Sequence, residues 1–287
     1  MTEKLYLIDG SGFIYRAFYA LPPLTRPSDG RSVNAVYGFC GMLEKLIDKL
    51  EAKNIAVVFD AGKKTFRNEI YPLYKANRSL APDALQEQFP IIREATAAYG
   101  IAAMELEGYE ADDLLATYAR LAIASGHEVC IVSPDKDLTQ LMRQGVEIYD
   151  PLKERLLCVE DVMAKFGVGP SCVVDVQAIA GDSADNVPGI PGFGVKTAAQ
   201  IINTAGGLEN AIENADALFP KAKIREGLKR YEELARLSKK LVTLCDNIPM
   251  PMPEGGFPIN CDREVLKDFL RKQGFLSLIE RLDACAS

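Results

Sequence analysis

The sequence predicts an α/β protein with a mostly parallel central sheet flanked by helices, followed by a smaller helical domain. Short apolar runs at 5–8, 55–59 and 129–132 each stop abruptly at an acid or a turn, as strands buried on both faces do. Helix-like patterns lie between them, and this β-α-β alternation is the signature of an open parallel sheet. Beyond about residue 168 no β-rich run appears, and the helix-like segments are short and separated by Gly and Pro. The expected division is therefore a core at 1–168 and a helical domain at 169–287.

The first run ends at Asp9-Gly10-Ser11. Next comes the clearest helix, with Val36, Phe39, Cys40, Leu43, Leu46, Ile47 and Leu50 forming an apolar stripe spaced three and four apart. The second run ends at Asp60. A basic stretch follows, in which Lys63, Lys64, Arg67, Lys75 and Arg78 stand against one acid, Glu69. Glu110, Asp112 and Asp113 open a further helix carrying Leu114, Leu115, Tyr118 and Leu121, and the third run leads into Ser133-Pro134-Asp135 with Asp137 two residues on. In the helical part, Gly181 to Pro188 contains Asp182 and Asp185, and a Gly-rich turn with Gly189, Gly192 and Gly194 opens a helix at Lys196. Residues 249–256 are the one linker-like stretch.

With 287 residues, 48% hydrophobic and 25% charged, the chain has material for a substantial core. No basic leader precedes the first run and no stretch of about 18 uninterrupted apolar residues occurs, so no membrane insertion or secretion is expected. The seven cysteines (Cys40, Cys130, Cys158, Cys172, Cys245, Cys261, Cys285) are scattered without a C-x-x-C pair, which suits a reducing, cytoplasmic setting and gives no zinc pattern. A net charge of −7 argues at first against a nucleic-acid partner. The nine acids singled out here carry more than that charge, so the remainder of the chain is slightly basic once they are neutralised.

In an open parallel sheet, ligands gather at the carboxyl ends of the strands. Asp9, Asp60 and Asp135 each follow a strand's last apolar residue, and Asp137 can reach the same side. Acids in a first helical turn complement the helix dipole, but Glu110, Asp112 and Asp113 are more than a cap needs. So much like charge in one place requires a cation, and all-oxygen donors favour magnesium or manganese. Asp182 and Asp185 would be an ordinary polar turn if they stood alone. Beside them, the turn at 189–194 offers backbone N–H groups and a helix N-terminus to a phosphate, with Lys196 adding charge.

Six stretches in order then resemble one family: Leu-Ile-Asp-Gly-Ser ending at Ser11, Val-Phe-Asp-Ala-Gly ending at Gly62, and Phe66-Arg67 through Tyr74-Lys75 to Arg78, followed by Tyr109 to Asp113, Ser133 to Asp137 and Gly181 to Gly194. They are similar to the 5′ nuclease (flap endonuclease) superfamily, most closely to the 5′-3′ exonuclease domain of bacterial DNA polymerase I. The resemblance spans nearly the whole chain and implies a PIN-like 5′ nuclease core with a helix-hairpin-helix domain at about 181–204. It implies a first metal held mainly by Asp9, Asp60, Glu110 and Asp112, with Asp113 and Asp135 close by, and a second held by Asp137, Asp182 and Asp185. Two or more magnesium ions, replaceable by manganese, would clamp a phosphodiester for in-line hydrolysis. The resemblance places 63–81 in a helical arch over the site, gives Arg67 and Lys75 to the scissile phosphate, and sets the 189–194 turn, with a potassium ion, on duplex DNA. Arg78, Gly189, Gly192, Gly194 and Lys196 are accordingly expected to bind DNA. Phe66, Tyr71 and Tyr74 could stack on bases or pack in a core.

The expected substrates are DNA flaps, nicks and 5′ ends and RNA–DNA primer junctions, with the polymerase portion of a longer chain as a partner and a monomeric state. His127, the only histidine, lies in a loop remote from every motif, which excludes Ser/His/Asp hydrolysis. An aspartyl-nucleophile phosphatase would want an acid where Ser11 stands, and a small metal ribonuclease would not need the Gly-rich turn. A non-catalytic junction-binding protein on the same fold is the rival from another class, and it would be expected to lack acids that are present here.

Overall fold

A computed structural model describes residues 4–62 and 64–284; Lys63 and Cys285 lie outside them. The described chain divides into two compact units that interleave along the sequence, one built from 4–61, 80–133 and 247–284, the other from 62, 64–79 and 134–246.

In the first unit, β1 (Leu5–Asp9) lies between β2 (Asn54–Val58) and β4 (Val129–Val132), and β3 (Ala102–Met104) flanks β2. All three pairings are parallel. β2 and β4 are buried at every residue, which is why their sequences read as unbroken apolar runs. The register sets Asp9 beside Val58 and Ile8 beside Val132, so β1, β2 and β4 finish in step and the residues following them share one edge. The predicted apolar stripe becomes the helix Asn34–Leu50, which buries Val36, Phe39, Cys40, Leu43 and Leu46 and stops where Glu51 turns left-handed. Helices Gly10–Ala20, Phe89–Ala98 and Ala111–Ala124 complete this layer.

The linker-like stretch leads back into the first unit. Ile55 donates its N–H to the Phe257 carbonyl (2.8 Å), Ile259 donates to Lys53 (2.9 Å) and Asn260 to Gly100 (2.9 Å). The Asn54 side chain holds the Gly255 carbonyl and the Phe257 N–H. Helices Arg263–Gln273 and Leu276–Ala284 follow, and the Gln273 amide oxygen accepts from the buried Arg26 guanidinium.

In the second unit, β5 (Val146–Asp150) and β6 (Arg155–Leu156) form an antiparallel pair, and no strand follows β6 among the described residues. The rest is helical, as expected: Val173–Ala180, Val195–Ala205 and Glu232–Val242 surround a core of Val176, Ile179, Ile201, Ile202 and Ala235. By length and composition 159–180 is a weak candidate for a membrane span, although charged residues interrupt it. The structure breaks that stretch at Gly167 into two short helices, and Val162, Phe166, Val168, Val173 and Val176 join the unit's core. Between 64 and 79 only Phe66–Ile70 is α-helical, and turns follow it.

Candidate functional site

The first unit gathers Asp9, Asp60, Glu110 and Asp113 through hydrogen bonds at the shared strand edge. Asp9 is both the last residue of β1 and the N-cap of the next helix, its Oδ1 accepting from the Gly12 N–H (3.1 Å) while Oδ2 accepts from Ser133 Oγ (2.8 Å). Asp60 accepts from Ser11 Oγ (2.6 Å) on one oxygen and from the Ala111 N–H (2.9 Å) on the other. The first helical turn beyond it is therefore tied to the end of β2. Glu110 and Asp113 form a capping box, in which Asp113 Oδ2 accepts from the Glu110 N–H (3.1 Å). Capping thus explains those two acids locally. It leaves Asp112, half-buried in the same turn, outside the cap.

The second unit gathers Asp135, Asp137 and Asp182 around a residue that the motif reading passed over. Lys136 Nζ donates to Asp182 Oδ2 (2.8 Å) and lies in the field of Asp135 and Asp137. Burial alone would push the lysine down, but these carboxylates together raise it. Burial likewise opposes ionisation of Asp182, yet its bond to Lys136 and that from the Ala184 N–H leave it below its ordinary value. Asp137 differs. Burial, and next the charge of Asp135, push it up to about 6. Its Oδ1 accepts from Gln177 Nε2 (2.7 Å), and its N–H donates to Asp135 Oδ1 (2.9 Å). The position of Lys136 between two of the acids was a signal the sequence carried; Gln177, 40 residues from Asp137, had none.

Asp185 lies against the basic stretch. Its carboxylate pairs with Lys75 Nζ (3.7 Å) and with Arg78, and its carbonyl accepts from the Lys75 N–H (2.9 Å). Asn77 donates to the Ser183 carbonyl (2.7 Å) and Asn186 to that of Leu73 (2.6 Å), so 73–78 is stitched to 183–186. Arg67 is placed quite differently. It is 1% exposed, and its guanidinium donates to the carbonyls of Leu241 (2.7 Å) and Thr243 (3.0 Å), where the helix Glu232–Val242 ends, a position that suits a cation. Tyr74 packs with Val187 and Leu241, and Tyr71 lies against them. Both tyrosines therefore serve the core. Phe66 lies under the Arg67 guanidinium at 4.6 Å.

The Gly-rich turn joins helices Val173–Ala180 and Val195–Ala205. Asp182 and Val187 exchange backbone hydrogen bonds, and the Ile190 N–H donates to Ile179 (2.7 Å). The N–H of Gly189 is committed within the chain, to Ser238 Oγ (2.9 Å). Gly189 is also left-handed (φ 61°), and a Cβ on it would lie 2.3 Å from the Gly181 nitrogen. Only glycine closes this hairpin. Gly192, Gly194 and Lys196 are exposed.

No three His, Cys, Asp or Glu side chains stand in metal-holding geometry among the described residues. The donors nevertheless suit a hard divalent cation: carboxylate oxygens dominate both clusters, chain cations already neutralise part of the second, and the buried Gln177 Oε1 beside Asp137 has no hydrogen-bond partner.

Two family models match the chain, "5′-3′ exonuclease, N-terminal resolvase-like domain" over residues 4–167 and "5′-3′ exonuclease, C-terminal SAM fold" over 168–261. The 5′-3′ exonuclease of Aquifex aeolicus is 42% identical over 98% of this chain and 96% of its own. DNA polymerase I of Rhizobium leguminosarum is 46% identical over 99% of this chain but only 29% of its own length, so the chain spans about a third of such polymerase relatives. Among solved structures, T5 5′-exonuclease with divalent metal ions (zinc) bound superposes with a TM-score of 0.70 at 25% identity, covering 96% of this chain and 99% of that one. On the strength of the matched models and of a relative aligned over almost its entire length, the chain belongs to the 5′-3′ exonuclease family.

Proposed function

We propose that this chain is a 5′-3′ exonuclease and 5′-flap endonuclease that hydrolyses DNA phosphodiesters with two divalent ions, serving replication and repair by removing flaps and RNA primers. The observation that carries this reading is the gathering of acids at the common end of β1 and β2, where Asp9, Asp60 and Glu110 are fixed by Ser133, Ser11, the Ala111 N–H and Asp113. Asp9, Asp60, Glu110 and Asp112, with Asp113 and Asp135 near them, would hold one ion, and Asp137, Asp182 and Asp185 the other. Magnesium suits these oxygen donors, and manganese should replace it. When bound, the ions supply a water nucleophile of lowered pKa and stabilise the leaving 3′ oxygen.

The chain's own groups orient the substrate. Lys75 and Arg78 lie against Asp185 and would transfer to a phosphate once a divalent ion takes that carboxylate. Arg67 would assist the scissile phosphate only after leaving the carbonyls it now holds; as placed, it anchors the segment that carries Lys75. The exposed turn at Gly192, Gly194 and Lys196 would grip duplex backbone without reading sequence, with a potassium ion as a further ligand. In this division of labour, residues 1–168 carry most of the chemistry, while 169–287 hold the duplex and lend Asp182 and Asp185 to the second ion. We assign the chain to the cytoplasm as a monomer, alone or joined to a polymerase portion.

A non-catalytic junction-binding protein is the second reading, favoured by the ion pairs that neutralise Asp182 and Asp185 without metal. A 5′-flap duplex labelled at its 3′ end separates the two. Magnesium-dependent cuts at the junction, lost in chelator and in the Asp182→Ala/Asp185→Ala double variant with duplex binding retained, support the nuclease. Binding without cleavage in magnesium or manganese supports the rival.

A further inference from the structure

We propose that Gln177 is a positioning residue for Asp137, turning that carboxylate to receive a divalent ion; the inference rests on the nuclease reading above. Gln177 lies on the inner face of the helix Val173–Ala180 and is 4% exposed. Its Nε2 donates to Asp137 Oδ1 at 2.7 Å. The main chain of Asp137 is fixed independently, its N–H bonded to Asp135 Oδ1 (2.9 Å) and its carbonyl to Gln140 Nε2 (3.0 Å). With the backbone held and one carboxylate oxygen hydrogen-bonded, the rotation of the side chain is set, and Oδ2 is the oxygen left to face an ion.

The partner's chemistry matters as much as its place. Asp182 and Asp185 are held by Lys136, Lys75 and Arg78, cations that compete with metal for the same oxygens. An amide orients a carboxylate without neutralising it. Asp137 Oδ1 is thereby oriented by a neutral group rather than by a cation.

The other half of the amide points the same way. Gln177 Oε1 is buried without a hydrogen-bond partner, a costly arrangement for a polar atom. A magnesium or manganese ion keeps several of its waters, and a water of the ion held at Asp137 would supply the missing donor. Gln177 would thus touch the ion's ligand on one side and its hydration shell on the other, an outer contact of the kind whose removal typically lowers metal affinity about 10- to 100-fold.

The test is Mn2+ binding to the full chain, read from the electron paramagnetic resonance of free Mn2+, for the wild type, Gln177→Met, Asp137→Asn and the double variant. Gln177→Met should weaken one Mn2+ site about 10-fold, and the double variant should bind no more weakly than Asp137→Asn alone. Gln177→Asn keeps the amide but is one methylene too short to reach Oδ1; it should lose affinity similarly, and it stands in if the methionine variant does not fold. Wild-type affinity in the Gln177 variants beside a loss in Asp137→Asn, or losses that simply add, would overturn the role of Gln177 while leaving the two-ion reading intact. Unchanged binding in Asp137→Asn would instead remove Asp137 from the metal site, and the assignment of Gln177 with it.

Discussion

Lys75 and Asp185, one expected to contact phosphate and the other to hold metal, are paired with each other at 3.7 Å, and Arg78 takes the second oxygen of the same carboxylate. In the absence of a divalent ion the chain thus supplies its own counter-charge. Asp185→Asn should release both cations. We expect single-stranded DNA to bind the variant more tightly than the wild type in chelator, with the slope of log K against log salt steeper by roughly 0.7 for each additional phosphate that a freed cation neutralises. Equal affinities and equal slopes, measured by fluorescence anisotropy, would show that the pairing does not restrain the cations in solution.

Arg67 donates to two carbonyls in a buried setting. Truncation to alanine leaves those acceptors without the guanidinium, at about 1–3 kcal/mol each. Arg67→Ala should therefore lose about 2–6 kcal/mol in urea unfolding, whereas the partly exposed Lys75 should change stability by less than about 1 kcal/mol. Equal stability of the two variants would refute the anchoring role of Arg67.

Gly189→Ala places a methyl group against the Gly181 nitrogen on a left-handed backbone. Strain of about 1–2 kcal/mol combines with an overlap costing about 1–3 kcal/mol. The expected result is a lowered melting temperature together with weakened duplex binding. Retention of both would mean that the hairpin opens without cost.

The raised Asp137 makes stability depend on pH. Its folded value of about 6 lies above the ordinary 3.8, so between those values the folded chain binds the proton more tightly than the unfolded chain does. This contribution to stability is full below about pH 4 and is lost as pH rises through 6, amounting to about 3 kcal/mol. Without metal, the melting temperature of the wild type relative to Asp137→Asn should fall between pH 5 and 7, and Mg2+ should restore it. A difference that stays flat across that range would contradict the buried environment assigned to Asp137.

The strands were legible because a strand buried on both faces has to be apolar throughout, and the edge positions of Asp9 and Asp60 followed from where those runs stop. The hairpin was legible because left-handed turns require glycine. Arg67 was not. Arginine in a basic stretch reads as a surface cation, and the carbonyls that bury it lie some 174 residues away in sequence. Tyr74 was ambiguous for the same reason, since Leu241 and Val187 decide its fate. Lys136 could have been found from its place between Asp135 and Asp137, whereas Gln177 looks like any other position of an apolar helix.

The return of residues 257–260 to the start of β2 has a bearing on how the protein is made. A ribosome releases β1, β2 and the acids at their ends long before it releases Phe257 and Asn260, which bond to Ile55 and Gly100. The intervening 134–246 segment can collect its own helical core meanwhile, since its apolar residues pack among themselves. The bonds that tie Ile55 and Gly100 to Phe257 and Asn260 cannot form until residue 260 has emerged. Completion of the first unit therefore depends on a segment made after the core residues of the second.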